Sequence, residues 1–432
     1  MQTISPQQHE AHAVRGEALQ EALPSLPAEA PQTLTVAGHE LTVFVESPPL
    51  FEAMLRDIGQ AKQRIWLETY IFYNDAGGTS IAEALKRKAR EGLDVRVLYD
   101  GLGCASTPAA FFTDMQSAGV KVYGFHTILE GLRRLKPLTI INRRNHRKLL
   151  VVDDYSGYFG GMNIIDNVED VEQVKRESRP ASSGWRDVHI RLVGPQQAEL
   201  ADSFERSWRR AQHIRVPRRS RATGRAHLIH AVHGRGAGGE NGEHAGREAS
   251  AELIRFFDSE PHNRFSRAAR VYAWLIGAAR FQITLSMAYF IPVGAPLRAL
   301  MRARRRGVRI RVVVPGKSDV KIVQRATAHL YDKLIRRGFR IYERRRRMLH
   351  SKMMVVDTLF TLVGSANLDP RSLYTNLEFV AVIRSRALAE IMQRICRFEM
   401  TQSTRVTPAT CKNVSRWQRF LNGLAWGLRW WL

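Results

Sequence analysis

The residues best suited to chemistry occur in two copies of one motif, H-x-K-x-x-x-x-D, each followed by a G-x-x-N stretch. The first copy comprises His146, Lys148, Asp153, Gly160, Gly161 and Asn163; the second comprises His350, Lys352, Asp357, Gly364, Ser365 and Asn367. Corresponding positions are separated by 204 residues throughout, as in 350 − 146, 352 − 148, 357 − 153 and 367 − 163. A single match would be a weak signal, but two matches with the same sequel indicate a duplicated functional unit.

These residue types favour phosphoryl transfer without a metal or another cofactor. A neutral imidazole can attack phosphorus and form a phosphohistidine, and a protonated imidazole can give its proton to the leaving alkoxide. Four side chains would hold the non-bridging oxygens: Lys148, Lys352, Asn163 and Asn367. Each histidine needs an acid to fix its tautomer, and the candidates are Asp187 and Glu378. From the residues alone, either histidine could attack first.

The alternation within each motif predicts how these side chains are positioned. Histidine and lysine stand two apart on an extended strand, so they project from the same face. The apolar runs 149–152 and 353–356 are typical of strands buried on both faces. Asp153 and Asp357, which we expect in the catalytic set together with the histidines and lysines, fall where those strands end. If the two units face each other, both histidines would contribute to one site.

The rest of the chain reads as alternating strands and helices, which predicts an α/β fold of two similar units, each a mixed sheet flanked by helices. Strands are expected at 41–45, 64–73, 95–99, 120–123 and 188–193, and helices at 50–62, 80–90, 109–117 and 196–210. The second unit repeats this order with strands at 281–290, 308–314 and 338–342 and a helix at 297–306. The predicted division is a flexible arm 1–37, a first domain 38–215, a linker 216–250, a second domain 251–405 and a tail 406–432.

The linker contains two patterns that resemble binding motifs. Residues 234–239 match G-x-G-x-x-G, but without the strand and helix that a dinucleotide site requires. His227, His230, His233 and His244 are spaced as metal ligands could be, but no cysteine or rigid scaffold accompanies them. We interpret both as parts of a loop.

Charge and composition indicate an anionic partner. The 432 residues carry a formal net charge of +25, supplied mainly by arginine, which favours polyanions such as nucleic acid or an anionic lipid surface. The alternative is that a biased genome composition has replaced lysine with arginine on solvated surfaces. Three cysteines without a C-x-x-C pair indicate reduced thiols in the cytoplasm. No apolar run reaches the roughly 18 residues of a membrane span, so membrane contact would be peripheral.

The tail combines tryptophan and arginine in a helical pattern. Its apolar positions are Trp417, Phe420, Leu421, Leu424, Leu428, Trp431 and Leu432. This composition is typical of a helix lying at the headgroup level of a membrane, although packing on the protein's own core remains the alternative. Removing 416–432 is expected to weaken vesicle binding and to leave the site intact.

The paired motifs resemble those of the phospholipase D superfamily, and their contexts are similar to bacterial cardiolipin synthases. The contexts are residues 67–72, 142–148, Trp185-Arg186-Asp187 and 364–372, within a likeness that runs from about Val43 to Ala387. The resemblance implies that His146 is the nucleophile, that His350 is the general acid, and that Asp187 and Glu378 orient them. Gly161 departs from the pattern, because the second copy has Ser365 there. The chain looks like the shorter synthases that lack an N-terminal membrane hairpin.

Three functions are therefore weighed. The first is a phosphatidyltransferase at the cytoplasmic face of the membrane that uses phosphatidylglycerol, with phosphatidylethanolamine as a second candidate donor. The second is a phosphodiesterase or nuclease of the same superfamily with water as acceptor; the tail and the motif contexts argue against it and against a nucleic-acid partner. The third, a non-catalytic lipid-binding protein, is disfavoured because both motifs are complete.

Overall fold

The computed structural model describes residues 30–126, 143–166, 185–212, 252–259, 266–345 and 347–431. The predicted linker 216–250, with its glycine and histidine patterns, lies outside the described residues, as do residues 1–29 of the predicted arm.

Sixteen strands in the described residues form two mixed sheets. The first sheet contains β1 (Gln32–Val36), β2 (His39–Phe44), β3 (Arg64–Thr69), β4 (Asp94–Asp100), β5 (Lys121–Phe125), β6 (Leu149–Val152), β7 (Ser156–Gly160) and β8 (His189–Val193). The second contains β9 (Leu253–Ser259), β10 (Gln282–Met287), β11 (Arg309–Pro315), β12 (Arg340–Arg344), β13 (Lys352–Val356), β14 (Phe360–Gly364), β15 (Glu378–Arg384) and β16 (Ser403–Val406).

Helices cover the sheets. They are α1 (Ser47–Gln60), α2 (Ala76–Arg90), α3 (Ala109–Ser117), α4 (Gln197–Ala211), α5 (Arg267–Ala278), α6 (Gly294–Arg305), α7 (Lys321–Ile335), α8 (Pro370–Tyr374), α9 (Arg386–Thr401), α10 (Pro408–Lys412) and α11 (Arg416–Gly427).

The two sheets share one strand order. Over seven strands it is β2-β8-β7-β6-β3-β4-β5 in the first and β9-β15-β14-β13-β10-β11-β12 in the second; β1 extends the first sheet beside β2, and β16 extends the second beside β12. In each sheet the strand within the motif, β6 or β13, pairs antiparallel with the first strand of a parallel set. The predicted α/β fold of two similar units is confirmed.

The motif strands are buried on both faces, as their apolar runs predicted. Leu150 and Val152 pack in a core between the first sheet and its outer helices. Leu149 and Val151 face the other way, into a core that also contains Met353 and Val355 of the second sheet. That shared core lies between the two units, so the ends of β6 and β13 meet at the same interface.

Buried ion pairs tie the units together beside this core. Arg186 of the first unit contacts Glu399 of the second at 3.0 Å and Glu46 at 2.8 Å, and Arg344 also pairs with Glu399. Arg347 contacts Glu46 at 2.6 Å. Breaking such a buried network is costly because a charge is left unpaired, so these pairs help to fix how the units are placed.

Several boundaries differ from the predictions. The end of the predicted flexible arm forms β1, because the alternating residues of Gln32–Val36 suit an edge strand paired with β2. The strand predicted at 64–73 ends at Thr69. The helix predicted from Ser80 begins at Ala76, because Asp75 caps it by accepting a hydrogen bond from Gly78 N. Strand β9 and helix α7 were not predicted.

Candidate active site

Each motif histidine is fixed by main-chain hydrogen bonds to the other unit. His146 N donates to Leu377 O at 2.9 Å, and His350 N donates to Arg186 O at 2.7 Å. These contacts extend the ends of β6 and β13 as short parallel bridges across the interface. The exchange is reciprocal, so the two histidines belong to one composite site.

The two predicted acids contact the histidines crosswise. His146 Nδ1 lies 3.1 Å from both carboxylate oxygens of Glu378, which belongs to the second unit. His350 Nδ1 lies 2.7 Å from Asp187 Oδ2, which belongs to the first. A carboxylate that accepts from Nδ1–H leaves Nε2 with its lone pair, the form needed for attack or for proton transfer.

The motif lysines are buried in the same cluster. Lys148 Nζ donates to the carbonyl oxygen of His146 at 2.7 Å. Lys352 Nζ donates to the carbonyl oxygen of His350 and lies 3.4 Å from Asp187 Oδ2. Burial lowers the pKa of Lys148 to about 7, with Glu378 opposing the shift and Lys352 adding to it. Burial also lowers the pKa of Lys352, against the charge of Asp187.

Burial also favours the neutral form of both imidazoles. It lowers the pKa of His146 to about 4, with Glu378 acting in the opposite direction and the two lysines in the same direction. Burial and Lys352 lower the pKa of His350, and Asp187 opposes them. The charge of Lys352 lowers the pKa of His146, and the charge of Asp187 raises the pKa of Lys148. Charged groups from both units therefore lie in one low-dielectric cluster.

The motif asparagines are oriented by the main chain. Asn163 Oδ1 accepts from Ile71 N, and Asn367 Oδ1 accepts from Tyr289 N, both at 3.3 Å. Both side chains are buried. With their oxygens engaged in this way, their amide N–H groups are the atoms suited to a phosphate oxygen.

The structure explains why the two motifs differ at Gly161 and Ser365. Ser365 Oγ donates to Glu378 Oε2 at 2.5 Å. A Cβ at Gly161 would lie 2.1 Å from Asp187 Oδ1. Serine therefore supports the longer acid in one half, while glycine makes room for the shorter acid in the other.

The motif aspartates, which were expected in the catalytic set, contact the backbone at the start of the neighbouring strand. Asp153 accepts hydrogen bonds from the backbone of Lys62, Gln63 and Arg64, each at 2.8 Å. Asp357 does the same for 280–282 at 2.7 to 2.8 Å. Both lie at the end of the motif strand remote from the histidine. We infer that these hydrogen bonds to Asp153 and Asp357 stabilise the pairing of β6 with β3 and of β13 with β10.

Aromatic residues around the histidines were not predicted as part of the site. Tyr70 contacts His146 edge-on, with ring centroids 4.9 Å apart. Trp185 lies 4.4 Å from the ring of His350, and Tyr289 lies 6.4 Å from it at nearly a right angle. Glu68, which accepts from Asn145 Nδ2 at 2.7 Å, was also missed. The only sequence signal was that some of these residues stand in the motif contexts.

Helix α11 is amphipathic, as predicted, and uses its two faces differently. Ala425 is buried and, with Trp426, packs against Tyr289 and α7, where Trp426 stacks on His329 at 5.6 Å. The opposite face of the helix is exposed at Trp417, Phe420 and Leu424, and the exposed stripe continues beyond the helix end at Leu428 and Trp431; these five side chains are between 49% and 68% exposed. The tail therefore both docks on the protein and presents an apolar stripe to solvent.

The described ranges contain neither a metal-binding cluster nor a membrane-spanning helix. No group of three or more His, Cys, Asp or Glu residues there is arranged to hold a metal ion. None of the helices there is both long and apolar enough to cross a membrane.

Comparison with known proteins identifies the family. The family described as "Cardiolipin synthase, PLD-like domain" matches residues 54–172 and 272–399. Cardiolipin synthase of Listeria innocua is 30% identical over 382 residues, which cover 88% of this chain and 73% of that protein. Cardiolipin synthase A of Pseudomonas putida is 29% identical over 89% of this chain and 73% of its own.

Solved structures show the same fold. Phosphatidylserine synthase of Haemophilus influenzae superposes with a TM-score of 0.64 at 16% identity, covering 98% of this chain and all of that one. Polyphosphate kinase of Porphyromonas gingivalis gives 0.54 at 13% identity, covering 94% of this chain and 58% of that one. The chain belongs to the family of cardiolipin synthases with phospholipase D-like domains.

Proposed function

We propose that this phosphatidyltransferase moves a phosphatidyl group through a phosphohistidine at His146 onto phosphatidylglycerol, forming cardiolipin and releasing glycerol. The observation that carries the proposal is the crosswise arrangement in which each imidazole is oriented by a carboxylate of the other unit. Kinship with cardiolipin synthases supports the choice of lipid substrates.

In the first step, His146 Nε2 attacks the phosphorus of a donor phospholipid. The bond from phosphorus to the headgroup oxygen breaks, and His350 gives its proton to that oxygen. Glu378 holds His146 in the attacking tautomer, and Asp187 stabilises the protonated form of His350. The motif lysines and asparagine amides stabilise the charge that develops on the non-bridging oxygens.

In the second step, a hydroxyl of phosphatidylglycerol attacks the same phosphorus. The proton of that hydroxyl returns to His350, the phosphorus–nitrogen bond to His146 breaks, and cardiolipin leaves. If water took the place of the hydroxyl, the product would be phosphatidic acid, which is the outcome of the alternative phosphodiesterase.

We also propose that the exposed stripe of α11 attaches the enzyme peripherally to an anionic membrane surface, on the cytoplasmic side. Tryptophan and leucine on this face suit the headgroup boundary. Arg416 and Arg419 are exposed on the same helix, and each basic side chain near an anionic surface contributes about 1 kcal/mol. The tail also packs on Tyr289, which favours an attachment beside the site.

Product analysis tests the activity. Purified protein is incubated with vesicles of phosphatidylglycerol, in EDTA, and lipids and free glycerol are quantified. We expect equal amounts of cardiolipin and glycerol. Glycerol with phosphatidic acid would support the phosphodiesterase, and cleavage of nucleic acid without lipid turnover would support the nuclease.

Substitutions on the stripe test the attachment. Deletion of 416–432 is the variant that the sequence suggests for testing vesicle binding. It would also remove the packing of Ala425 and Trp426 and disturb Tyr289. A triple variant of exposed residues, Trp417→Gln, Phe420→Gln and Leu424→Gln, avoids this. We expect weaker cosedimentation with anionic vesicles at an unchanged melting temperature. Vesicle binding equal to that of the unaltered protein would contradict the attachment.

A further inference from the structure

Tyr289 and Asp319 form a pair beside the proposed general acid, His350. The ring of Tyr289 meets the ring of His350 edge-on. Its hydroxyl donates to Asp319 Oδ2 at 2.7 Å. Neither residue belongs to the duplicated motif, so the pair is not among the site residues that the two units share.

The carboxylate of Asp319 is held in place and remains open to solvent. Its Oδ1 accepts from Val320 N at 3.0 Å and from Ser318 Oγ at 3.1 Å. The residue itself is exposed. Its negative charge acts to raise the pKa of both His350 and Lys352, against the effect of burial. Asp319 therefore stands within electrostatic reach of the reacting groups.

A carboxylate at this place does not serve phosphate binding. The substrates of the proposed reaction are phosphodiester anions, which a fixed negative charge repels. A carboxylate accepts hydrogen bonds from hydroxyl groups and pairs with ammonium groups. Its natural ligand is therefore the other part of a phospholipid headgroup, the alcohol.

The described part of the first unit has no such pair. Ile71 occupies the place of Tyr289, since each donates its N–H to the asparagine of its own motif. The acid at the end of β4, Asp100, is buried and accepts from Asn145 N at 2.8 Å and from Leu102 N at 2.9 Å. An open carboxylate beside a histidine is thus a feature of the His350 side among the described residues.

The role of His350 as acid and then as base determines which part of the substrate lies next to it. A general acid adjoins the oxygen that leaves, so the headgroup alcohol of the donor lies next to His350. The hydroxyl that enters in the second step takes the same place, because His350 removes its proton. We propose that Tyr289 and Asp319 form the subsite for the headgroup alcohol, a small polyol or amino alcohol with hydroxyl or ammonium donors. This inference rests on the proposed function.

Asp319→Asn is the direct test, because it keeps an acceptor for Tyr289 and removes the charge. Asp202→Asn is the matched control, since Asp202 is an exposed acid on α4 of the first unit. Glycerol release is measured on phosphatidylcholine vesicles with an increasing fraction of phosphatidylglycerol, and vesicle binding is measured separately. A hydrogen bond to a charged group changes affinity by about tenfold or more. We expect KM to rise by about that factor in Asp319→Asn, with a smaller change in kcat, and to stay unchanged in Asp202→Asn.

A second lipid and a second variant sharpen the test. With phosphatidylethanolamine as donor, loss of the carboxylate is expected to reduce ethanolamine release more than glycerol release, because an ammonium gains more from a negative charge than a hydroxyl does. Tyr289→Phe removes the hydrogen bond that Tyr289 donates to Asp319. We expect this variant also to raise KM, by a smaller factor than Asp319→Asn does.

The outcomes separate this inference from the proposed function. Equal KM values for Asp319→Asn and Asp202→Asn on both lipids would overturn the subsite even if cardiolipin is formed. Headgroup release without cardiolipin would overturn the proposed acceptor, while the KM comparison would still decide the subsite. No headgroup release from either lipid by the unaltered protein would overturn both.

Discussion

The two halves of the site use the same motif in different surroundings. On the first side, His146 is paired with a glutamate that Ser365 supports, and Tyr70 lies against its ring. On the second side, His350 is paired with the shorter Asp187, for which Gly161 leaves space. Trp185 and Tyr289 border it, with Asp319 beyond.

This difference shows how a duplicated unit can supply two chemical roles. A nucleophile needs a neutral imidazole and an open path to phosphorus. An acid needs a proton and a place for the alcohol that receives it. Carboxylates act to raise the pKa of both histidines, Glu378 for His146 and Asp187 with Asp319 for His350, while motif lysines act to lower both. Among the described residues, the second side differs by the exposed carboxylate of Asp319, beside which we propose that the alcohol binds.

Replacing the histidines should have the largest effect and should separate the two roles. Both His146→Ala and His350→Ala are expected to lose turnover of natural lipids, by about 10²-fold or more for the acid. With a donor whose leaving group is p-nitrophenol, no acid is needed in the first step. We expect His350→Ala to release one equivalent of nitrophenol in a burst and then stall, because the base of the second step is missing.

His146→Ala is expected to give no burst with the same donor. Circular dichroism and thermal unfolding of both variants check that each remains folded. A burst in His146→Ala and none in His350→Ala would reverse the assignment of the two halves.

Exchanging the small residues should have the next largest effect, and an unequal one. Gly161→Ser places an atom where Asp187 lies, so the acid must move, and a misplacement of about 1 Å can cost about 10²-fold in rate. Ser365→Gly removes one hydrogen bond to Glu378, which costs about 1 kcal/mol. The check is kcat/KM of both variants, and equal losses would contradict the packing explanation.

Replacing the orienting acids should shift one limb of the pH profile. If His146 attacks as the neutral imidazole, kcat/KM rises as pH passes its pKa, which Glu378 raises. Glu378→Gln should therefore move the rising limb to lower pH, by about 1 unit. If His350 acts as the acid, kcat/KM falls as pH passes its pKa, which Asp187 raises. Asp187→Asn should move the falling limb to lower pH.

These profiles are measured with a soluble short-chain donor, so that membrane binding does not contribute. The free enzyme determines kcat/KM, which makes the shifts comparable with the pKa directions of the unliganded site. If each substitution moved the opposite limb, His146 would be the acid and His350 the nucleophile.

The duplicated motif made the α/β fold and the shared site predictable, because strand periodicity and a whole-domain repeat are properties of sequence. The crosswise pairing of the acids was not predictable, since Asp187 follows the first motif yet contacts His350, 163 residues away. The position of Asp153, at the end of β6 remote from His146, was not predictable because spacing does not reveal which end of a strand meets the site. Tyr289 and Asp319 were missed because the repeat predicts only what both halves share.

The most direct test of the central claim is to locate the covalent intermediate. His350→Ala is mixed with the nitrophenyl donor, digested at neutral or alkaline pH to preserve a phosphorus–nitrogen bond, and mapped by mass spectrometry. We predict that the mass of a phosphatidyl group lies on His146. The same adduct on another residue, or a burst of nitrophenol with no covalent adduct, would contradict the mechanism.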